Sequence, residues 1–233
     1  MGCQESVLDS DRSSEIDLRG AARSFDTRWR NRPAPGDLSS LSARLGHPVC
    51  GVKALFQQYP DCQEAFFASI LPHIVDLAGR LPKLLPGLAL KKLAQGTRDR
   101  LFLPRSLVAS LLAHMFLCTF AVEDRSEAMP GVSFRRLLQS RSEPEVAKLR
   151  MFVHYFDRLR SEEPLGQLRI YRQVRELLPE GERQSAWAGS QKPLLEVEAV
   201  EMNVGFEDVR NGDGCLLADF ANMFIGGGGF GGG

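Results

Sequence analysis

Apolar residues recur at three- and four-residue steps through most of residues 50–160. This spacing keeps one face of an α-helix buried and predicts a largely helical region. Residues 63–78 follow it and contain Pro72, which predicts a kink or a helix that restarts with proline in its first turn. Residues 143–159 follow it too. Their apolar face is Val146, Leu149, Phe152, Val153 and Phe156.

Residues 104–122 are apolar on nearly every side, which is typical of a core helix or of a membrane span. The uncharged stretch is shorter than the roughly 20 residues that cross a bilayer comfortably, and His114 interrupts it. We therefore expect a central buried helix here.

After residue 166 the apolar period changes from that of a helix to that of a strand. Residues 167–174 and 194–202 alternate apolar and polar positions, as half-buried strands do. Residues 215–219 form a short apolar run that predicts a fully buried strand. Between the last two, Asn211-Gly212 and Asp213-Gly214 are turn dipeptides that favour a hairpin.

Residues 1–45 are polar and poor in periodic apolar positions, so we expect a mostly disordered tail. Its first six residues, Met-Gly-Cys-Gln-Glu-Ser, fit the N-myristoylation pattern with Gly2 as the acceptor. Cys3 would be a natural palmitoylation site, giving the second lipid that stable anchoring requires. The alternative is a chance match, since short patterns recur.

Composition adds few constraints. Lys plus Arg and Asp plus Glu both number 29, so any contact with a polyanion must be local. The five cysteines are scattered without a C-x-x-C pair, which favours reduced thiols over a zinc site. No two of the four histidines have the spacing of metal ligands, so core or capping roles are favoured and no metal is expected. The pairs Arg135-Arg136 and Arg158-Leu-Arg160 indicate solvated faces.

The C-terminal residues carry the clearest chemical signal. The buried run 216–219 ends in Asp219, and Asn222 follows among Phe220, Phe224 and Ile225 before seven glycines. Glycines let a backbone approach a ligand closely and direct consecutive N–H groups at an anion such as phosphate. A flexible Gly-rich linker is the alternative. The polar residues set in an apolar frame favour a ligand-binding loop.

Leu217-Ala-Asp-Phe-Ala-Asn-Met-Phe-Ile-Gly-Gly-Gly228 closely resembles the signature segment of the poly(ADP-ribose) glycohydrolase family. Two further stretches resemble that family's helical accessory domain, namely Leu71–Pro82 and Leu111–Phe120. In the family, Gln-Glu-Glu follows the glycines, and the second glutamate does most of the acid–base work. These 233 residues do not contain that tripeptide, so we expect an inactive fragment.

The resemblance implies hydrolysis of the ribose–ribose O-glycosidic bonds of poly(ADP-ribose), without a cofactor or a metal. It implies that Asp219 belongs to the catalytic site, that Asn222 binds ribose hydroxyls, and that glycines pass beneath the ribose and diphosphate. Those glycines are Gly226, Gly227 and Gly228. Phe206 and Glu207 match the family's adenine-binding segment, with Phe in the place of Ile and one extra residue before Asn211.

We therefore expect an α+β or α/β chain in three parts: a disordered tail (1–45), a helical accessory domain (46–165) and the first strands of a macrodomain-like α/β/α catalytic domain (166–233). Expected partners are poly(ADP-ribose), ADP-ribose and, indirectly, poly-ADP-ribosylated proteins, without direct nucleic-acid binding. The expected setting is the DNA damage response and carbohydrate metabolism, in the nucleus or cytoplasm, with membrane association through Gly2 and Cys3. The alternative is a non-catalytic, lipid-anchored helical interaction module.

Overall fold

The computed structural model describes residues 15–93, 97–120 and 134–174. The helices of this part are α1 (Arg19–Arg28), α2 (Leu38–Leu45), α3 (Cys50–Gln58), α4 (Cys62–Ala65), α5 (Leu71–Gly79), α6 (Leu81–Leu84), α7 (Arg105–Phe116), α8 (Arg135–Gln139) and α9 (Glu143–Arg158). A π-helical turn, Phe66–Ile70, joins α4 to α5. The strands are β1 (Glu15–Asp17), β2 (Ala89–Lys91), β3 (Asp99–Pro104) and β4 (Gln167–Arg172).

The larger hydrophobic core lies between the helices. Helix α7 contributes Ala109, Ala113 and Phe116, which are fully buried. Helix α5 packs along α7, and α3 packs against α8 and α9. Phe116 lies at the centre of this core, with the rings of Phe134 and Phe156 set edge to face against it at 6.2 and 5.8 Å. Helix α7 is therefore the buried central helix that the sequence predicts, and no helix in the described part of the chain is long and apolar enough to span a membrane.

The π-helical turn explains how one helical stretch accommodates Pro72. Proline lacks an N–H and its ring clashes with the carbonyl four residues earlier, so a regular α-helix cannot run through it. The turn before it is widened, and the amide of Leu71 bonds to the carbonyl of Phe66. Helix α5 then begins with Pro72 in its first turn. The predicted restart at Pro72 is confirmed.

Two antiparallel two-stranded ribbons flank a second, smaller core. Strand β1 pairs with β2, and β3 pairs with β4. Leu18, Leu81, Leu103 and Leu107 form the buried cluster, so the cluster joins the end of β1 to α6, β3 and α7. The described unit is thus an α+β arrangement of helices with small sheets.

The expectation of a disordered tail is wrong for residues 15–45, whereas residues 1–14 lie outside the described part. Phe25, Trp29, Leu41 and Leu45 are buried in the larger core. Arg28 Nη2 donates to the carbonyl of Cys118 at 2.7 Å, which ties the end of α1 to the residues after α7. The few apolar residues here occur at helical spacing. A narrow stripe of them is enough to bury one helix face although the overall composition is polar.

The predicted strand at residue 167 is present as β4, but its partner is β3. One compact unit contains all described residues through Gln173, and a second begins at Val174. Strand β4 therefore belongs with the helices, and the second unit begins eight residues after the start predicted for the catalytic domain. The strands predicted at 194–202 and 215–219, and the macrodomain-like fold, lie outside the described residues.

Candidate functional site

All of the residues that the sequence predicts for the site lie outside the described part of the chain. They are Asp219, Asn222, Phe206, Glu207, Gly226, Gly227 and Gly228, together with the lipidation residues Gly2 and Cys3. Their roles stay predictions. The structure instead shows which groups the helical unit brings together, and where its surface could contact a ligand.

His114 on α7 is the most deeply buried ionisable side chain for which a pKa shift is resolved. Its Nε2 lies 3.0 Å from the carbonyl oxygen of Ala78, and its Nδ1 lies 2.7 Å from Oγ1 of Thr119. A carbonyl can only accept, so Nε2 carries the proton and Nδ1 accepts from the threonine hydroxyl. Burial lowers the pKa of His114 from 6.5 to about 4, so the ring is neutral at physiological pH. His114 thus joins α5 to α7 in the core, the kind of role that the sequence favoured over a metal ligand.

A groove of about 480 Å³ lies between the end of α3 and α9. Arg150 stacks over the ring of Tyr59 at 3.9 Å, and His154 and Asp157 lie beside them. The Cys62 thiol in this groove donates to the carbonyl of Tyr59 at 2.9 Å, and burial raises its pKa. A thiol with a raised pKa is a poor nucleophile. Within the described ranges, no three His, Cys, Asp or Glu side chains are grouped so as to hold a metal ion.

A second groove, of about 490 Å³, lies between the end of α1 and the helices α5 and α6. Four cationic side chains line or border it, and two of them form ion pairs: Arg30 with Asp26 at 2.7 Å and Arg80 with Asp76. Arg32 and Lys83 supply the remaining positive charge. The groove is therefore mildly basic, and half of its cations are already neutralised.

The outward face of the β3–β4 ribbon combines arginines with aromatic rings. Arg100 lies opposite Tyr171 and Phe102 lies opposite Arg169. The guanidinium carbons of Arg100 and Arg169 lie 5.7 and 6.0 Å from the centre of the Phe102 ring, within cation–π range. Phe102 is 41% exposed and Tyr171 is 58% exposed, and their rings meet edge to face at 5.8 Å.

The charge of the chain is unevenly distributed. Residues 1–173 contain 25 lysines and arginines and 19 aspartates and glutamates, a net charge of +6. Residues 174–233 carry 4 basic and 10 acidic side chains, which brings the whole chain to zero. The helical unit is therefore cationic, although the complete sequence is neutral.

Comparison with known proteins identifies the class of this unit. Residues 59–172 match the family model described as Poly (ADP-ribose) glycohydrolase (PARG), helical domain. The match begins at the end of α3 and ends with β4, so it contains both the π-helical turn and the β3–β4 ribbon. The described α+β arrangement is thus consistent with the helical domain of that family.

A curated relative extends the comparison beyond that domain. The chain is 28% identical over 198 residues to "Poly(ADP-ribose) glycohydrolase 1" of Arabidopsis thaliana, a match that includes 76% of this chain. It spans about a third of the plant protein, 35% of its length. The two matches support an assignment to the poly(ADP-ribose) glycohydrolase family, in agreement with the resemblance of the signature segment.

Proposed function

We propose that this chain is part of a poly(ADP-ribose) glycohydrolase that hydrolyses the ribose–ribose O-glycosidic bonds of poly(ADP-ribose) and releases ADP-ribose. The observation that carries the proposal is the family match of the helical unit, followed in the same chain by the signature segment at 217–228. The relative in Arabidopsis thaliana is itself described as a poly(ADP-ribose) glycohydrolase. Neither a cofactor nor a metal is required by this chemistry.

Cleavage of a glycosidic bond passes through an oxocarbenium-like transition state. A carboxylic acid must protonate the leaving oxygen, and a carboxylate must activate water or stabilise the developing cation. In the proposed site the acid is the second glutamate of the family's Gln-Glu-Glu. Asp219 positions the loop that carries this acid, and Asn222 holds the ribose hydroxyls through its amide donor and carbonyl acceptor.

The remaining site residues would hold the nucleotide. Gly226, Gly227 and Gly228 carry no side chain, so the backbone can pass close beneath the ribose and the diphosphate. Phe206 and Glu207 would hold the adenine ring. In this proposal these residues belong to a macrodomain-like α/β/α domain, of which the residues after Gln173 supply the first strands.

The test uses a longer polypeptide that continues through the family's Gln-Glu-Glu. We expect Asp219→Asn to lower the rate of ADP-ribose release by roughly 10²-fold while affinity for ADP-ribose changes little, because the acid loses its position. We expect Asn222→Ala to lower both. Turnover, ADP-ribose affinity and melting temperature are measured on the same preparations.

Two results would count against these roles. A folded Asp219→Asn variant with undiminished turnover removes Asp219 from the site. A variant that loses melting temperature and activity together shows that Asp219 only satisfies the backbone of the glycine turn. If the unsubstituted longer polypeptide releases no ADP-ribose, the glycohydrolase proposal fails and the non-catalytic interaction module is favoured.

We expect a polypeptide of residues 1–233 alone to release no ADP-ribose from labelled polymer. Loss of a positioned acid–base group typically costs roughly 10²–10⁴ in rate, and these residues contain no Gln-Glu-Glu. The longer polypeptide is the positive control in the same assay. Turnover by residues 1–233 above the blank would show that another group supplies the acid.

The N-terminal pattern supports a second proposal, about location. With Gly2 myristoylated and Cys3 palmitoylated, the two acyl chains would hold a nuclear or cytoplasmic protein at membranes, which a single chain does only marginally. A fluorescent fusion of residues 1–30 should sediment with membranes, and Gly2→Ala should move it to the soluble fraction. A soluble unsubstituted fusion would make the pattern a chance match.

A further inference from the structure

The outward face of the β3–β4 ribbon is a two-by-two arrangement of arginines and aromatic rings. Side chains two residues apart on a strand point to the same face, and directly paired residues are neighbours across the ribbon. Arg100 and Phe102 follow one another on β3, and Arg169 and Tyr171 follow one another on β4. Each arginine therefore has an aromatic ring both along its strand and across the ribbon.

No carboxylate occupies this face within β3 and β4. Asp99, the one acidic residue of these two strands, lies on the opposite face of the ribbon, where its Oδ1 is 2.6 Å from Nζ of Lys91. That opposite face is the apolar one, since Leu101 and Leu103 pack on the smaller core. The ribbon is thus held by its inner face, and its outer face presents two guanidinium groups and two rings outward.

We propose that this outer face binds an adenine-nucleotide polymer, with adenine rings against Phe102 and Tyr171 and phosphates at Arg100 and Arg169. Arginine pairs with phosphate through a planar fork of N–H donors, and aromatic rings stack on bases. A basic surface with interleaved aromatics is how proteins hold single-stranded nucleotide polymers. The identity of the polymer as poly(ADP-ribose) rests on the proposed function.

The size and charge of the surface favour a polymer over a protein partner. A stable protein interface buries about 800 Å² on each side, which four side chains of a two-stranded ribbon do not supply. The net charge of +6 in residues 1–173 attracts a polyanion, and long-range attraction of this kind is independent of the polymer's sequence. The ribbon lies in the helical unit and contains none of the residues proposed for bond cleavage.

The first experiment measures anisotropy of end-labelled poly(ADP-ribose) of defined length with the full 233-residue chain. We expect Arg100→Gln/Arg169→Gln to weaken binding about tenfold and to make the salt dependence shallower by one to two ion equivalents. The matched control is Arg23→Gln/Arg136→Gln, which removes the same charge from two exposed positions on α1 and α8. Equal losses of polymer affinity in the two double variants would overturn the proposal, because binding would then depend on the net charge of the protein and not on the ribbon.

The second experiment separates ring stacking from charge. Tyr171→Ser and Phe102→Leu should weaken poly(ADP-ribose) about fivefold to tenfold, yet leave inorganic polyphosphate, which has no bases, unchanged. The arginine pair should weaken both probes. Unchanged polymer binding by both aromatic variants would overturn the proposal, and so would a lowered melting temperature with unchanged affinity, since the face would then be a packing surface.

A third experiment distinguishes failure of the ribbon proposal from failure of the proposed function, because it measures binding without hydrolysis. Single-stranded poly(A) RNA replaces poly(ADP-ribose) in the same titrations. Preference for poly(ADP-ribose) that the ribbon variants abolish supports both proposals. Binding of poly(A) alone, lost in the same variants, supports the ribbon as an adenine-polymer site and contradicts the glycohydrolase assignment of its ligand. Binding of neither polymer overturns the ribbon proposal whatever the activity of the longer polypeptide.

Discussion

Burial fixes the protonation state of His114, and this has a consequence for stability. The folded chain holds a neutral ring with a pKa of about 4, whereas the same ring has a pKa of 6.5 when exposed. Between these values the unfolded chain binds more protons than the folded chain, so the free energy of unfolding decreases as pH falls. His47 and His73, whose pKa values burial also lowers, act in the same direction.

We therefore predict full stability above pH 6.5 and a progressive loss between pH 6.5 and about 4, to which His114 contributes roughly 3 kcal/mol. Urea unfolding midpoints measured across this range test the prediction. His114→Gln should make the curve flatter. The same substitution at the exposed His154 is the control for the loss of a histidine side chain. A curve for His114→Gln as steep as that of the unsubstituted chain would contradict the assignment.

Gly51 in α3 marks a close contact between two elements. A Cβ atom at this position would lie 2.6 Å from the carbonyl oxygens of Leu137 and Ser140, at the end of α8. Both atoms are backbone and cannot move aside independently. We predict that Gly51→Ala destabilises the chain by roughly 1–3 kcal/mol, as overpacking does elsewhere.

Gly20 is the matched control for Gly51. It also lies in a helix, α1, but nothing surrounds its added Cβ within 4 Å. Gly20→Ala should be neutral or stabilise by up to about 1 kcal/mol, because alanine costs less backbone entropy. Thermal unfolding of the two variants side by side gives the comparison. Equal stability of the two would show that α3 and α8 separate easily.

At the scale of elements, α2 shows that residues before 46 belong to the core. Leu41 is fully buried, whereas Leu165, after α9, is 77% exposed. We predict that Leu41→Ala lowers the free energy of unfolding by roughly 2–5 kcal/mol and that Leu165→Ala changes it by less than about 0.5 kcal/mol. Chemical denaturation of both variants measures the difference. Similar midpoints for the two variants would favour the disordered tail that the composition of residues 1–45 predicts.

The helices were predictable where the local pattern was strong. Residues 143–159 have a wide apolar face, and Pro72 marks a helix start because of its own covalent structure. The π-helical turn before Pro72 was not predicted, since it depends on how the flanking helices pack in the core. Helix α1 was missed because its buried face holds only one residue per turn among four basic or acidic side chains.

The strands show the limit of local patterns more clearly. Residues 99–104, Asp-Arg-Leu-Phe-Leu-Pro, are two charged residues followed by a short apolar run, so they lack the polar–apolar alternation that indicates a half-buried strand. Its pairing with residues 167–172 depends on a partner more than sixty residues later in the chain. No local pattern contains that information, and the Arg100–Phe102 surface becomes recognisable only after Arg169 and Tyr171 are placed beside it.

At the scale of the whole molecule, the neutral composition conceals a cationic helical unit. Equal numbers of acids and bases suggested only that contact with a polyanion must be local. Residues 1–173, with their net charge of +6, are a part of the chain where such local contact is favoured. The resemblance to the family could be recognised from the signature at 217–228, because twelve residues match with two polar residues in register. The geometry around Asp219 and Asn222 lies outside the described residues.

Both ribbons close long loops, and this has a consequence for the order of folding. β1 meets β2 and β3 meets β4 only when segments roughly seventy residues apart in the chain come together. The entropy lost in closing such loops delays the pairing until the helices between them have condensed. Amide protons of Ile16 and Ile170 should then gain protection late in a pulse-labelled refolding experiment, after those of α7. The outer face of the β3–β4 ribbon, which we propose as a polymer-binding surface, would therefore be among the last surfaces of the described unit to form as the chain folds.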